Sequence, residues 1–198
     1  EEMAAHYIAA IISHQPEGPY LIGGHCDGAW VAHEMARQLI DRGFEVRYLV
    51  MVDVAPPPQH IPTTAGLRRV VDRLRYYARD GRLIPAIRWQ VKLRVENTLL
   101  LRFGSAASRR VRAIRLAHQD AYARYRFEHD PRAPLHLIRS TELAVLMDEI
   151  SWYDELVERP DVEITDISST HARLLHEPET IELADVMSRR MDTIDEPS

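Results

Sequence analysis

The chain has 198 residues, 45% of them apolar, a mean hydropathy of -0.30 and a formal net charge of -5. That supports one sizeable core, so the chain is read as a single globular domain over residues 1–198. No apolar run approaches the roughly 20 residues of a membrane helix and no secretory signal opens the sequence. The single cysteine, Cys26, excludes an internal disulfide and favours a reducing, cytoplasmic compartment.

In chain order, Met3, Ala4, Tyr7, Ile8, Ile11 and Ile12 recur at helical spacing between an acidic start and Pro16, which predicts an amphipathic helix over residues 1–14. "GPYLIGG" predicts a short strand. From Gly28, the positions Val31, Ala32, Met35, Ala36, Leu39 and Ile40 predict a helix that Gly43 stops. "EVRYLVMVD" predicts a second strand, and its unbroken apolar run from Tyr48 to Val52 suits a strand covered on both faces, as in a parallel sheet.

"APPPQHIPTT" then interrupts the alternation, and residues 67–125 predict three arginine-laden helices broken near Gly81 and Gly104. Charge marks the same segment: residues 65–126 hold 16 Lys plus Arg against four Asp plus Glu, while the remainder is acidic. Alternation resumes with the strand "PLHLIR", a helix near residues 148–157, the strand "DVEITDI" and a closing helix from Pro178 to about Met191. The layout predicts a parallel α/β sheet with a helical insertion, or lid, over residues 58–127.

Gly24, His25, Cys26, Asp27 and Gly28 spell G-x-C-x-G between a strand and a helix, the nucleophile-elbow pattern with sulfur in place of oxygen. Small residues flank the nucleophile because the turn is tight. The nucleophile's side chain then stands above the sheet, and the next backbone N–H, that of Asp27, faces the reacting carbonyl as an oxyanion donor. The helix N-terminus favours negative charge there. A free cysteine also serves as a small buried hydrophobe, which is the competing explanation.

A nucleophile at this position needs a base and an orienting acid from the carboxyl ends of other strands. Asp53 ends the second strand and His171 follows the last one, giving the order Cys, Asp, His of the α/β-hydrolases. Glu142 and Asp148 are alternative acids. His176 competes with His171 but sits beside the final helix as a surface or capping residue, and His25 is read as packing within the elbow. Metal motifs fail: "HEMAR" begins like a zincin helix, but Arg37 stands where the second ligand belongs. The basic insertion lacks a nucleic-acid-binding signature.

"GPYLIGGHCDGAWVAHEMARQLIDRGFEVRYLVMVDVAPP" and "THARLLHEP" closely resemble the thioesterase domains that end nonribosomal peptide and polyketide synthases, type I thioesterases of the α/β-hydrolase superfamily. The resemblance is strongest from Gly18 to Pro57. It implies that Cys26, Asp53 and His171 act as nucleophile, acid and base on acyl or peptidyl chains carried by 4'-phosphopantetheine. It implies no bound cofactor or metal, and as partner a carrier domain upstream in the same polypeptide. Neither nucleic acid nor membrane is an expected partner.

Cys26 stands where the family usually has serine, Ala29 replaces a common glycine, and Asp27 puts a carboxylate beside the thiol. Because the sequence opens at Glu1 within the expected fold, it is read as a fragment that begins after the family's first strands. The rival readings are a dienelactone-hydrolase-like cysteine hydrolase and a non-catalytic carrier-docking module. In the insertion, Tyr76, Tyr77, Trp89, Leu99, Leu100, Leu101 and Phe103 are candidates for an acyl channel or for ordinary packing.

Overall fold

A computed structural model describes residues 1–56, 105–147 and 155–195 and, between them, 71, 74–79, 81–85, 87, 88, 91, 92 and 95. Two compact units result, one of Glu1–Pro56 with Phe127–Ser198, the other Pro57–Arg126. The first unit contains α1 (Glu2–His14), β1 (Tyr20–His25), α2 (Asp27–Asp41) and β2 (Val46–Val52). After the second unit, whose α3 spans Ala106–Arg124, it continues with β3 (Leu135–Ser140), α4 (Thr141–Met147), β4 (Val162–Ile167) and α5 (Glu179–Asp195).

The four strands form one sheet in the order β1-β2-β3-β4, with every neighbouring pair parallel. His25 pairs with Val52, Val52 with Ile138, and Ser140 with Ile167. The carboxyl ends of all four strands therefore meet along one rim of the sheet, and ligands of open parallel sheets bind at that rim.

The unbroken apolar run of β2 has the physical cause expected of it. Tyr48, Val50 and Val52 pack with Ile138, Ile167, Leu174 and Leu183 against Val186, Met187, Met191 and Ile194 of α5. Leu49 and Met51, which point to the other face, are buried as well. The helix α2 packs on β1 and β2 through Ala29, Trp30, Ala32, Met35, Ala36, Leu39 and Ile40. Three strands are tied by a buried polar chain: Tyr48 Oη lies 2.7 Å from His136 Nδ1, and His136 Nε2 lies 2.9 Å from Thr165 Oγ1.

Two helix boundaries differ from the sequence reading. The segment after β3 turns helical at once, because Ser140 Oγ caps α4 by accepting the Leu143 N–H at 3.1 Å. Of the helix expected near 148–157, residues 155–157 are helical and 148–154 lie outside the described residues. The last helix continues past Met191 to Asp195, keeping Ile194 on the core.

In the second unit, Ser105 caps α3 by accepting the Ser108 N–H at 3.2 Å. Trp89, Leu99, Leu100, Leu101 and Phe103 lie outside the described residues. No helix among the described residues is long and apolar enough to cross a membrane.

Candidate active site

The turn between β1 and α2 is built by backbone geometry before any side-chain chemistry is considered. Cys26 adopts φ 53° and ψ -130°, and its N–H donates to the Val52 carbonyl at 2.9 Å. Asp53, directly after β2, has φ 50°. These two are the only non-glycine residues with positive φ among the described residues. Such conformations cost on the order of 1–3 kcal/mol each, and they persist where function requires a side chain in a fixed place.

Gly24 explains why β1 and α2 can approach so closely. A Cβ there would lie 2.3 Å from the Gly28 oxygen and 2.7 Å from the Ala29 nitrogen, both backbone atoms that cannot swing away. At Gly28 an added Cβ meets nothing within 4 Å. Of the two flanking glycines, then, only Gly24 is demanded by space. Gly24→Ala is expected to destabilise the fold by about 3 kcal/mol or more, and Gly28→Ala by under about 1 kcal/mol, as read by urea denaturation.

At the rim the predicted acid and base meet. His171 Nδ1 lies 2.6 Å from Asp53 Oδ2, while Asp53 Oδ1 accepts the Ser140 N–H at 2.6 Å. The Asp53 side chain is 0% exposed and that of His171 46%. Burial alone would push the Asp53 carboxyl up, but the hydrogen bonds from His171 and Ser140 outweigh it and hold the pKa below the usual value. The His171 imidazole is raised to about 10, first by its hydrogen bond to Asp53 and then by the neighbouring Cys26 side chain.

The remaining candidates take supporting places. Glu142, read as a possible acid, instead accepts the backbone N–H of His171 at 2.9 Å and so fixes the loop that carries the imidazole. Asp148 lies outside the described residues. His176 is exposed, and its carbonyl accepts the Thr180 N–H at the start of α5. Asp27 opens α2, where the first amides have no acceptor within the helix. The Asp27 carboxylate does face the thiol, with Cys26 Sγ 3.9 Å from Oδ1.

Sequence reasoning missed Ser140, whose backbone N–H donates to Asp53, a main-chain contact that leaves no mark in the sequence. It also gave His25 no more than a packing role. In the structure the His25 ring stacks on His171, with centroids 5.1 Å apart and planes 17° from parallel.

Ligand atoms of His25, Asp53 and His171 all lie within 4.8 Å of one another, the residue set of a two-histidine, one-carboxylate metal site. Their orientation suits a proton better. Imidazole lone pairs lie in the ring plane, so two nearly parallel stacked rings do not converge on one ion, and Asp53 already accepts from His171.

A parallel sheet that carries a strained elbow after β1, a buried acid after β2 and a histidine after β4 has the α/β-hydrolase arrangement. The thioesterase-domain family model matches residues 1–186, and the chain belongs to that family. Among solved structures it resembles the NocB thioesterase domain captured in a covalent complex with a fluorophosphonate nocardicin G analog. There the TM-score is 0.61 and identity 24%, over 96% of this chain and 74% of that one. The thioesterase domain that cyclises the lipopeptide antibiotic surfactin gives a TM-score of 0.61 at 18% identity, over 100% and 76% of the two chains.

Curated relatives include polyketide synthase PksR of Bacillus subtilis, 49% identical over 53 residues, which is 27% of this chain and 2% of that protein. Another is the non-reducing polyketide synthase terA of Aspergillus terreus, 34% identical over 96 residues, or 46% of this chain and 5% of the relative. The chain thus spans a small fraction of the synthases it matches. It is a thioesterase domain of the type found in nonribosomal peptide and polyketide synthases.

Proposed function

We propose that this domain releases an acyl or peptidyl chain from the phosphopantetheine arm of a carrier domain through an acyl-enzyme on Cys26. The observation that carries the reading is the Asp53–His171 pair, joined at 2.6 Å on the sheet rim that also carries the strained elbow at Cys26.

In this mechanism the Cys26 proton resides on His171, and the sulfur attacks the thioester carbonyl. A new carbon–sulfur bond forms, and the carbonyl electron pair moves to an oxyanion that accepts the Asp27 backbone N–H. Collapse breaks the bond to the pantetheine sulfur, which leaves with the proton from His171. Water, an amine or a hydroxyl then attacks the acyl-enzyme, passing its proton to His171 as the bond to the Cys26 sulfur breaks, which restores the starting arrangement. Asp53 stays ionised and holds the imidazole in one tautomer and orientation.

Sulfur at the elbow has an energetic consequence. Transfer from one thiol to another exchanges thioester for thioester at nearly equal free energy, so the acyl group stays activated for a demanding acceptor such as an amine or a ring-closing hydroxyl. Hydrolysis uses the same steps with water. The test is turnover of an acyl-loaded carrier domain and of a small acyl thioester by the same preparation. Both should be processed by the wild type and neither by Cys26→Ala; unchanged turnover by Cys26→Ala overturns the reading.

The basic segment adds a docking proposal. Carrier domains tend to be acidic, and arginines between Arg68 and Arg115, including Arg109, Arg110 and Arg112 on α3, supply complementary charge. Raising salt is expected to weaken carrier-dependent turnover severalfold while sparing the small thioester. Equal losses on both substrates would remove the docking role.

A further inference from the structure

We propose that His25 is a positioning residue, whose ring, stacked on His171, fixes the plane of that imidazole so that one nitrogen faces Asp53 while the other serves Cys26. This inference rests on the proposed role of the Cys26, His171 and Asp53 set and adds a fourth residue to it.

The imidazole of His171 has one firm tether, the hydrogen bond from Nδ1 to Asp53, and its side chain is 46% exposed. A single hydrogen bond sets a distance but leaves the ring free to rotate about the bond's axis, and that rotation swings the far nitrogen away from the nucleophile. A flat group packed on one face of the ring opposes the rotation. His25 supplies it, with centroids 5.1 Å apart and planes within 17°. Its own position is fixed by the chain, since it is the last residue of β1, paired with Val52 immediately before the elbow.

The alternative explanation for a histidine here is a hydrogen bond. His25 Nε2 is buried and has no hydrogen-bond partner among the described residues. Desolvation and the neighbouring His171 push its pKa down, against a smaller pull from Asp53, so at neutral pH the stack places an uncharged ring against a cationic one. That pairing is attractive, whereas two cations would repel. The ring's flat face is therefore what the site uses.

Two substitutions of similar bulk separate flatness from space filling. His25→Phe keeps a planar ring and removes the unpaired nitrogen; His25→Leu fills the space without a plane. The first readout is the proton NMR signal of the Nδ1–H that His171 donates to Asp53, in the full chain and without substrate. It is expected to persist in wild type and His25→Phe and to broaden or vanish in His25→Leu. The second is the rate of Cys26 acylation by a small acyl thioester at saturation, expected to be within about twofold of wild type in His25→Phe and about tenfold lower in His25→Leu, with KM unchanged.

Thermal melting run alongside shows whether each variant is folded, and His25→Met replaces His25→Leu if the latter is not. An intact NMR signal together with wild-type acylation in the non-planar variant overturns the proposal. So does a His25→Phe variant as impaired as the non-planar one. Absence of acylation in the wild type refutes the proposed role of Cys26 instead, and the NMR comparison still decides whether His25 orders His171.

Discussion

Asp53→Asn is expected to slow acyl transfer from a pantetheine thioester by about a thousandfold, with little change in KM. The substitution keeps the shape of the side chain, and its amide oxygen can still accept the Ser140 N–H that Asp53 holds at 2.6 Å. What it removes is the negative oxygen 2.6 Å from His171 Nδ1. Facing an amide NH2, Nδ1 must accept, which places the proton on the wrong nitrogen. Facing the amide oxygen, the imidazole keeps its tautomer and loses its counter-charge. Either way the His171 pKa falls from about 10, because its first cause is the Asp53 hydrogen bond.

The same pair leaves a signature in stability. A histidine whose folded pKa is raised from 6.5 to about 10 contributes stability fully below the unfolded value, and loses it as pH rises through the folded one. An aspartate depressed below 3.8 contributes above that value and loses it as pH falls. The stability gap between wild type and Asp53→Asn is therefore expected to be widest from about pH 4 to 6.5, shrinking on both sides. Urea denaturation across pH measures it, and a gap that widens between pH 7 and 10 would contradict the ion-pair assignment.

Cys26→Ser is the second large effect. His171 holds a proton at neutral pH, and a thiol in general ionises far more readily than a hydroxyl. A serine hydroxyl does not ionise there and needs an unprotonated imidazole. Acylation of Cys26→Ser at pH 7 is expected to be at least about a hundredfold slower, rising with pH as His171 deprotonates. Wild-type activity should instead decline toward pH 10, where His171 can no longer protonate the departing thiol. The serine variant also forms an oxygen ester, so release to an amine should slow relative to release to water. Identical products, rates and pH profiles in the two proteins would show that sulfur has no special role.

The parts of this site that are legible in the sequence are those written in residue type at fixed spacing. Gly24 announces a close approach because no other residue fits 2.3 Å from backbone oxygen. The run from Tyr48 to Val52 announces a doubly covered strand, and Asp53 follows at its end. His171 follows the last strand in the same way. Contacts that use backbone atoms or ring faces leave no such trace. Ser140 reaches Asp53 through a main-chain N–H, and Glu142 looked like an acid because only coordinates reveal that its carboxylate accepts a main-chain donor. The stack of His25 on His171 joins residues 146 positions apart, and neither carries a mark of the other. Likewise α4 is seven residues long, too short for periodicity to register.

Peptide mapping of the acylated protein tests the central claim most directly. After brief incubation with an acyl pantetheine thioester, one acyl group is expected by intact mass, located on the peptide that contains Cys26. Cys26→Ala should acquire none, and Asp53→Asn should acquire it about a thousandfold more slowly. An acyl group found on another residue, or full turnover by Cys26→Ala, would contradict the account.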